Sequence, residues 1–346
     1  MTSREIVLRT LRFEHPERIA VTFPDPYPND MCIAGPGPDP RHAGTDWQRV
    51  SDERWEMTDE WGNTWQRIEG ISKGEVARGV IGSWDQLDEI NLPDYDLPER
   101  YGRVRTRFAE QPDRFRVGTL PGFPFNVARK MRRLDNFLMD VAIEPEKTER
   151  LLAMVEDQMH KAICRLAEAG AEAVFFCEDW GTQDRLLVNP ALWRRMFKPG
   201  FQRLCRAAHE RGVFVFMHSC GYLREAMDDM VEAGIDLFQF DQPSLYGVEK
   251  LAADFGGRVT FWCPVDIQAT LQTRDAQAIE DEARRMVEHL GARGGGFIAG
   301  YYGSNEALGL DPCWQDLACR AFLKYGAPEF WREFERRTGA PTTPAS

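Results

Sequence analysis

The second half of the chain alternates short apolar runs with longer stretches in which apolar residues recur at helical spacing. The short runs are rich in β-branched and aromatic residues, so each predicts a buried strand. Repeated strand and helix pairs predict a parallel sheet with crossover helices. The predicted pairs are residues 173–178 with 190–211, 213–218 with 223–233, 236–240 with 247–255, 259–263 with 275–290, and 296–300 with 312–325.

Two further strands are predicted nearer the N-terminus, over residues 18–23 and 115–119, and no eighth strand is evident. Because the strands are hydrophobic throughout, both faces of the sheet should be covered, which predicts an α/β fold, a distorted (β/α)8 TIM-like barrel. The 346 residues contain no linker-like stretch, so one domain over residues 1–346 is expected. Within it, residues 1–110 include an irregular extension and a tryptophan-rich hairpin, interpreted as a lid or as a small separate core.

Polar side chains follow the predicted strands at the end where barrel enzymes carry their sites. Carboxylates, amides and thiols at the ends of five strands predict one site at the barrel mouth. Asp179 is the candidate for proton transfer or for orienting a metal ligand. The candidate substrate-binding residues are Glu178, Gln183, Asp241, Asp266, Gln268, Tyr301 and Tyr302.

The strand over residues 213–218 ends in His218-Ser219-Cys220-Gly221. Imidazole and thiolate are both zinc ligands, and residues two apart in a strand project to the same face. The pair therefore suits a zinc site. It suits equally a core histidine beside an inert thiol, because zinc sites normally need three protein ligands.

Composition narrows the class of protein further. The formal net charge of -12 argues against a nucleic-acid partner, and no apolar stretch is long enough to span a membrane. The N-terminus has no apolar signal core, so a cytoplasmic location is expected. In that reducing compartment the eight cysteines should be free thiols, and Cys177, Cys220 and Cys263 are those that end strands.

Several segments together resemble the uroporphyrinogen decarboxylase superfamily, and within it the branch of cobamide-dependent methyltransferases. They are residues 2–5 and 15–21, Leu134-Asp135-Asn136-Phe137-Leu138-Met139-Asp140, Glu178-Asp179-Trp180-Gly181-Thr182-Gln183, His218-Ser219-Cys220-Gly221 and Val265-Asp266-Ile267-Gln268. The resemblance implies a distorted (β/α)8 barrel, zinc held by His218 and Cys220, and a cobamide (corrinoid) as a methyl carrier.

The chain also departs from that superfamily in two places. Residues 18–40 contain Arg18 and no other Arg or Lys, so the Arg-rich motif that grips porphyrinogen carboxylates is missing. The methyltransferases take a third zinc ligand from a later Cys, where this chain has Tyr301-Tyr302-Gly303. Cys263 is the predicted replacement, with Glu178 or Asp179 as oxygen alternatives.

These observations predict a zinc-dependent methyltransferase that demethylates a small O-methyl compound, with His218 and Asp179 as catalytic residues. Its expected partners are a small-molecule methyl donor or acceptor and a corrinoid protein, and a homodimer is one open oligomeric state. One alternative is a cofactor-free lyase acting on a carboxylated small molecule, for which Arg129 and Arg185 are the candidate arginines. Another is a non-catalytic binding module.

Overall fold

Two sheets are present in the described part of this computed structural model, which comprises residues 1–42, 44–68 and 74–326. The strands in chain order are β1 Ala20–Val21, β2 Met31–Ala34, β3 Gln48–Arg49, β4 Arg54–Thr58, β5 Thr64–Ile68, β6 Glu75–Arg78, β7 Phe115–Thr119, β8 Ala173–Cys177, β9 Phe214–His218, β10 Leu237–Gln239, β11 Thr260–Cys263 and β12 Phe297–Ala299. Strands β3 to β6 form an antiparallel sheet, and the other eight form a parallel one.

The parallel strands form a nearly closed barrel in the order β1-β12-β11-β10-β9-β8-β7-β2. A short loop joins β1 to β2, and there the Asp30 amide donates to the Val21 carbonyl at 2.8 Å. The predicted (β/α)8 class is therefore confirmed. The strand that the sequence did not reveal is β2, in which Met31 and Cys32 are buried and Ile33 is exposed.

Helices cover the outside of the barrel. In chain order they are α1 Ser3–Arg12, α2 Gly102–Glu110, α3 Pro124–Arg132, α4 Leu134–Ile143, α5 Pro145–Glu168, α6 Pro190–Met196, α7 Lys198–His209, α8 Arg224–Ala233, α9 Val248–Phe255, α10 Thr270–Thr273, α11 Ala276–Leu290, α12 Asn305–Leu308 and α13 Pro312–Tyr325. The single helix predicted over residues 190–211 is two helices, because Pro199 lacks the N–H that would continue the helical ladder of α6. None of the helices described is both long enough and apolar enough to cross a membrane.

Helix α1 closes the amino-terminal end of the barrel. It starts with a capping box in which the Glu5 amide donates to the Thr2 hydroxyl and the Thr2 amide to the Glu5 carboxylate. Its apolar residues Ile6, Val7 and Leu11 pack with inward-facing strand residues such as Phe115. With this end filled by apolar side chains, polar chemistry is left to the opposite end.

The antiparallel sheet contains the predicted hairpin, formed by β4 and β5. The Glu60 carboxylate, in the turn between them, accepts two 3.0 Å bonds from the buried Arg100. Trp61 is buried and stacks on Tyr95, with ring centroids 5.8 Å apart. Because these contacts fix the hairpin to the segment before α2, Trp61 belongs to the packed interior.

Candidate functional site

A row of inward-facing side chains lies at the carboxyl end of the barrel. In the strand register, Cys177 is level with His218, His218 with Gln239, and Gln239 with Trp262. Phe175 and Phe216, two residues earlier on β8 and β9, belong to the cluster inside the barrel. Since side chains alternate along a strand, Cys177 and His218 face the barrel mouth.

His218, Cys220 and Asp179 bring three possible metal-ligand atoms together above this row. The Cys220 Sγ lies 3.3 Å from the His218 Nε2, and the Asp179 Oδ1 lies 3.7 Å from the same nitrogen. Among the described residues this is the group of three whose ligand atoms all lie within 4.8 Å of one another. Nitrogen, sulfur and oxygen atoms in one cluster are a donor set that zinc accepts.

Direct backbone packing holds Asp179 beside Cys220. The loops after β8 and β9 touch at Gly181 and Gly221, where an added Cβ would meet backbone atoms at 2.4 and 2.3 Å. Gly221 also has a φ of 74°, which favours glycine. The Cys220 amide donates to the Asp179 Oδ1 at 2.9 Å, so the two loops bring the carboxylate to the histidine and thiol.

The His218 ring is oriented by Gln239, which lies on the neighbouring strand. The Gln239 Nε2 donates to the Asp241 Oδ1 at 2.8 Å, which turns the amide oxygen toward the His218 Nδ1. That oxygen accepts the Nδ1 proton, and the Nε2 lone pair is left facing Cys220 and Asp179. A partner of this kind on the second ring nitrogen is what fixes the tautomer of a metal-binding histidine.

Arg129, on α3, holds the other oxygen of Asp179. Its Nη2 lies 3.3 Å from the Asp179 Oδ2, and its Nε donates to the Asn126 Oδ1 at 2.7 Å. The guanidinium therefore neutralises the carboxylate from the side away from His218. One of the two arginines considered from the sequence is thus at the site, whereas Arg185 is exposed and paired with Asp184.

The thiols at the mouth are protonated in the metal-free protein. Burial and the Asp179 carboxylate raise the pKa of Cys220 to about 12. The same two causes raise the pKa of Cys177 to about 11. A cation among these groups would reverse the effect, because a coordinating thiol is deprotonated by the metal charge.

Comparison with known proteins gives the family. The profile described as uroporphyrinogen decarboxylase (URO-D) matches residues 67–301, which is more than half of the chain. The chain belongs to the uroporphyrinogen decarboxylase family. The matched residues include Asp179, His218 and Cys220. No curated protein sequence matches the chain.

Solved structures that resemble the chain include a methyltransferase and a methionine synthase. A methyltransferase from Methanosarcina mazei is 15% identical, with a TM-score of 0.62, and the match covers 94% of this chain and all of the other. A B12-independent methionine synthase from a Shewanella species is 13% identical, with a TM-score of 0.45 over 67% of each chain. At such identities the first likeness establishes the fold.

Cys263, the predicted third ligand of this family member, is turned away from the mouth. It is fully buried in the layer between the barrel and its helices, with Phe238 and Phe261 in the same cluster. The reason is strand alternation: Trp262 occupies the inward position on β11, so the next residue points outward. The structure instead offers Asp179, one of the two oxygen alternatives, as the third donor.

Glu178, predicted to bind substrate, is also buried and does not reach the mouth. Its Oε2 accepts from the Asn126 amide at 2.9 Å, and its Oε1 has no hydrogen-bond partner among the described residues. Complete burial raises the pKa of Glu178 well above its usual range. Glu178 therefore packs beneath α3, and it cannot contact a substrate without rearrangement.

Asp266, also predicted to bind substrate, instead hydrogen-bonds to backbone amides. Its carboxylate accepts from the amides of Gln268, Ala269 and Ser244, at 2.9, 2.7 and 3.1 Å. These bonds hold the turn after β11 and leave the side chain 2% exposed. Gln268 is exposed, and Gln183 is exposed with its Oε1 accepting from Gln242.

The remaining predicted residues surround the mouth. Asp241 fixes Gln239, as described above, and Tyr302 lies within electrostatic range of Asp241 and Cys220. The Tyr301 hydroxyl accepts from the Asn305 side chain at 2.7 Å. Sequence reasoning overlooked Gln239, although an amide between Phe238 and Phe240 in a buried strand was a usable signal.

Proposed function

We propose that the protein is a zinc-dependent methyltransferase that demethylates a small O-methyl compound and passes the methyl group to a corrinoid carried by a partner protein. The observation that supports this most is the cluster of Asp179, His218 and Cys220 at the barrel mouth. Family membership supports an enzyme, and the methyltransferase that shares the fold is consistent with this reaction class. The corrinoid comes from the sequence resemblance.

Asp179, His218 and Cys220 would hold the zinc, because their three atoms are of the types that zinc binds. When bound, zinc would act as a Lewis acid, and one with a single thiolate is stronger than one with two and suits an ether oxygen. The protein's own part is positioning. Gln239 keeps the His218 Nε2 lone pair directed at the cluster, and the contact with Arg129 holds Asp179 in place.

The test measures metal content and methyl transfer separately. Protein purified without added metal is analysed for zinc, and is then incubated with reduced cobalamin and O-methyl compounds while methylcobalamin formation is followed by absorbance. His218→Ala is expected to lose both zinc and turnover. Stoichiometric zinc in the His218→Ala variant, or equal turnover, would contradict the proposal.

A cofactor-free lyase acting on a carboxylated small molecule is the second candidate. It is favoured by Arg129, a cation within 3.3 Å of Asp179 at the mouth. In that case Asp179 would serve as the acid or as the charge-stabilising group, and His218 and Cys220 would line the cavity. Carbon dioxide release from a carboxylated substrate without cobalamin and in the presence of a chelator would select this reaction.

A further inference from the structure

Lys130, the residue after Arg129 on α3, places a second positive charge beside the mouth. Its side chain is half-buried, and its Nζ lies 5.5 Å from the centroid of the Trp65 ring. Across residues 1–42, 44–68 and 74–326, no carboxylate forms an ion pair with it, and its ammonium makes no hydrogen bond. Lysines with restricted access to water are normally paired, or extend their charge into solvent.

The ammonium of Lys130 lies near the open end of the barrel. The groups within its electrostatic range are Arg129, Asp59, Cys177 and Glu178. Cys177 faces the mouth, level with His218. Burial, together with the positive charge of Arg129, lowers the pKa of Lys130. The cation is therefore held in an environment that supplies too little negative charge.

The two acids in its range are already engaged. Asp59 accepts from the Trp65 indole at 2.6 Å and from the Asn63 amide group at 3.0 Å, and two backbone amides donate to it as well. Glu178 is buried and accepts from the Asn126 backbone amide, as described above. Neither acid is placed to form an ion pair with Lys130.

The antiparallel sheet keeps Trp65 in position above Lys130. At Gly79, just after β6, an added Cβ would meet the Met131 carbonyl oxygen at 2.2 Å, so the backbone there packs directly on α3. The Ile81 amide donates to the same carbonyl at 2.8 Å, and the Arg133 guanidinium donates to the Ala77 carbonyl at 3.2 Å. These contacts hold the Trp65 ring and the Lys130 ammonium in a fixed arrangement.

We propose that Lys130, together with Arg129, binds a carboxylate of the substrate, so that the molecule demethylated at this site is a small methylated carboxylic acid. The inference rests on the proposed function and specifies its substrate class. A charge-assisted bond to Lys130 would hold the acid end beneath Trp65. The methyl-bearing end would then extend toward Cys220 and Asp179.

The test compares acids with neutral analogues of the same shape. Binding of 4-methoxybenzoate and 4-methoxybenzamide, and of methoxyacetate and methoxyacetamide, is measured by calorimetry without cobalamin. At least one acid is expected to bind about tenfold more tightly than its amide, since a charged partner is worth that much or more. Equal affinity for acid and amide, or no binding of either acid at millimolar concentration, overturns the inference.

Variants assign the effect to the residue. Lys130→Met is expected to weaken acid binding about tenfold and leave amide binding unchanged, whereas Lys130→Arg should retain most of the affinity for the acid. The matched control is Lys147→Met, an exposed lysine on α5 that pairs with Glu144. If Lys130→Met binds the acid as the control does, the inference is wrong. Lys130→Gln provides the same comparison if the methionine variant does not fold.

Failure of this inference can be distinguished from failure of the proposed function. Lys130→Met should contain as much zinc as the unaltered protein, because Lys130 is not among the proposed ligands. A protein that binds the acids through Lys130 but transfers no methyl group refutes the methyltransferase and leaves the anion site standing. A protein that holds zinc and transfers methyl groups, but whose Lys130→Met variant binds the acids as tightly as the unaltered protein, refutes the anion site alone.

Discussion

Strands β9 and β11 both end in polar and thiol residues, but they use them for opposite purposes. At the end of β9, His218 and Cys220 face the mouth and meet Asp179. At the end of β11, Cys263 is buried against the helices, and Asp266 uses its carboxylate to hold backbone amides. The two strand ends differ because side chains alternate between the two faces of a strand and because different turns follow β9 and β11. Polar density at a strand end therefore identifies a candidate end of the barrel, and side-chain direction identifies the site.

The largest difference between the two strands should appear when each loses its cysteine. Cys220→Ala is expected to lose its zinc and to reduce methyl transfer by more than about a hundredfold, beyond the effect of losing a group outside the ligand shell. Cys263→Ala should keep its zinc and lose only about 1 kcal/mol of unfolding free energy, from the small cavity created. Metal analysis with urea denaturation checks both. Loss of zinc from Cys263→Ala would reverse the assignment.

An intermediate effect is expected from the residue that orients His218. Gln239→Leu removes the acceptor for the His218 Nδ1 proton, so zinc affinity should fall by about 10- to 100-fold. The measurement is competition with a chelator of known affinity. Gln277→Leu, an exposed substitution on α11, is the control and should match the unaltered protein. Equal zinc affinity in both variants would show that Gln239 does not orient the His218 ring.

Asp266 tests the structural role of the β11 end. Asp266→Ala leaves three backbone amides without their acceptor, and the expected loss is about 3 kcal/mol of unfolding free energy, with zinc content unchanged. Asp281→Ala, on the surface of α11, should cost far less because its partner Arg284 is also exposed. A stable Asp266→Ala protein with impaired substrate binding would instead restore Asp266 as a substrate contact.

The smallest effect concerns a histidine near the amino-terminal end of the barrel. A hydrogen bond to Asp236 raises the pKa of His209, whose ring Nε2 lies 2.8 Å from that carboxylate. The resulting stability should be fully present below the unfolded pKa of about 6.5 and be lost as pH rises through the higher folded value. Because the pair is half-exposed, the contribution is less than about 1 kcal/mol.

The check is urea denaturation of the unaltered protein and His209→Gln at about pH 5.5 and about pH 8.5. The stability difference between the two proteins should be larger at the lower pH. A difference that is independent of pH would mean that the His209 charge does not contribute.

Sequence alone was enough for the barrel and for part of the site. Short apolar runs identified seven strands because most of their residues are buried, whereas β2 was missed because Ile33 is exposed and prolines flank the strand on both sides. The His218 and Cys220 pair followed from their spacing at the end of a strand. The direction of the Cys263 side chain could not be predicted, because a shift of one residue along the strand decides whether a side chain faces the mouth or the core. The surroundings of Lys130 could not be predicted, because they depend on how the antiparallel sheet packs on α3.

The closed amino-terminal end of the barrel has a kinetic consequence. Since Ile6, Val7 and Leu11 seal that end, small molecules reach His218 and leave it through the carboxyl end. A protein-borne methyl carrier would have to cover the same entrance to come within reach of the substrate. If such a carrier takes part, the shape of the barrel would impose the order of arrival: the small molecule would enter first and the carrier second, and the product would depart only after the carrier had left.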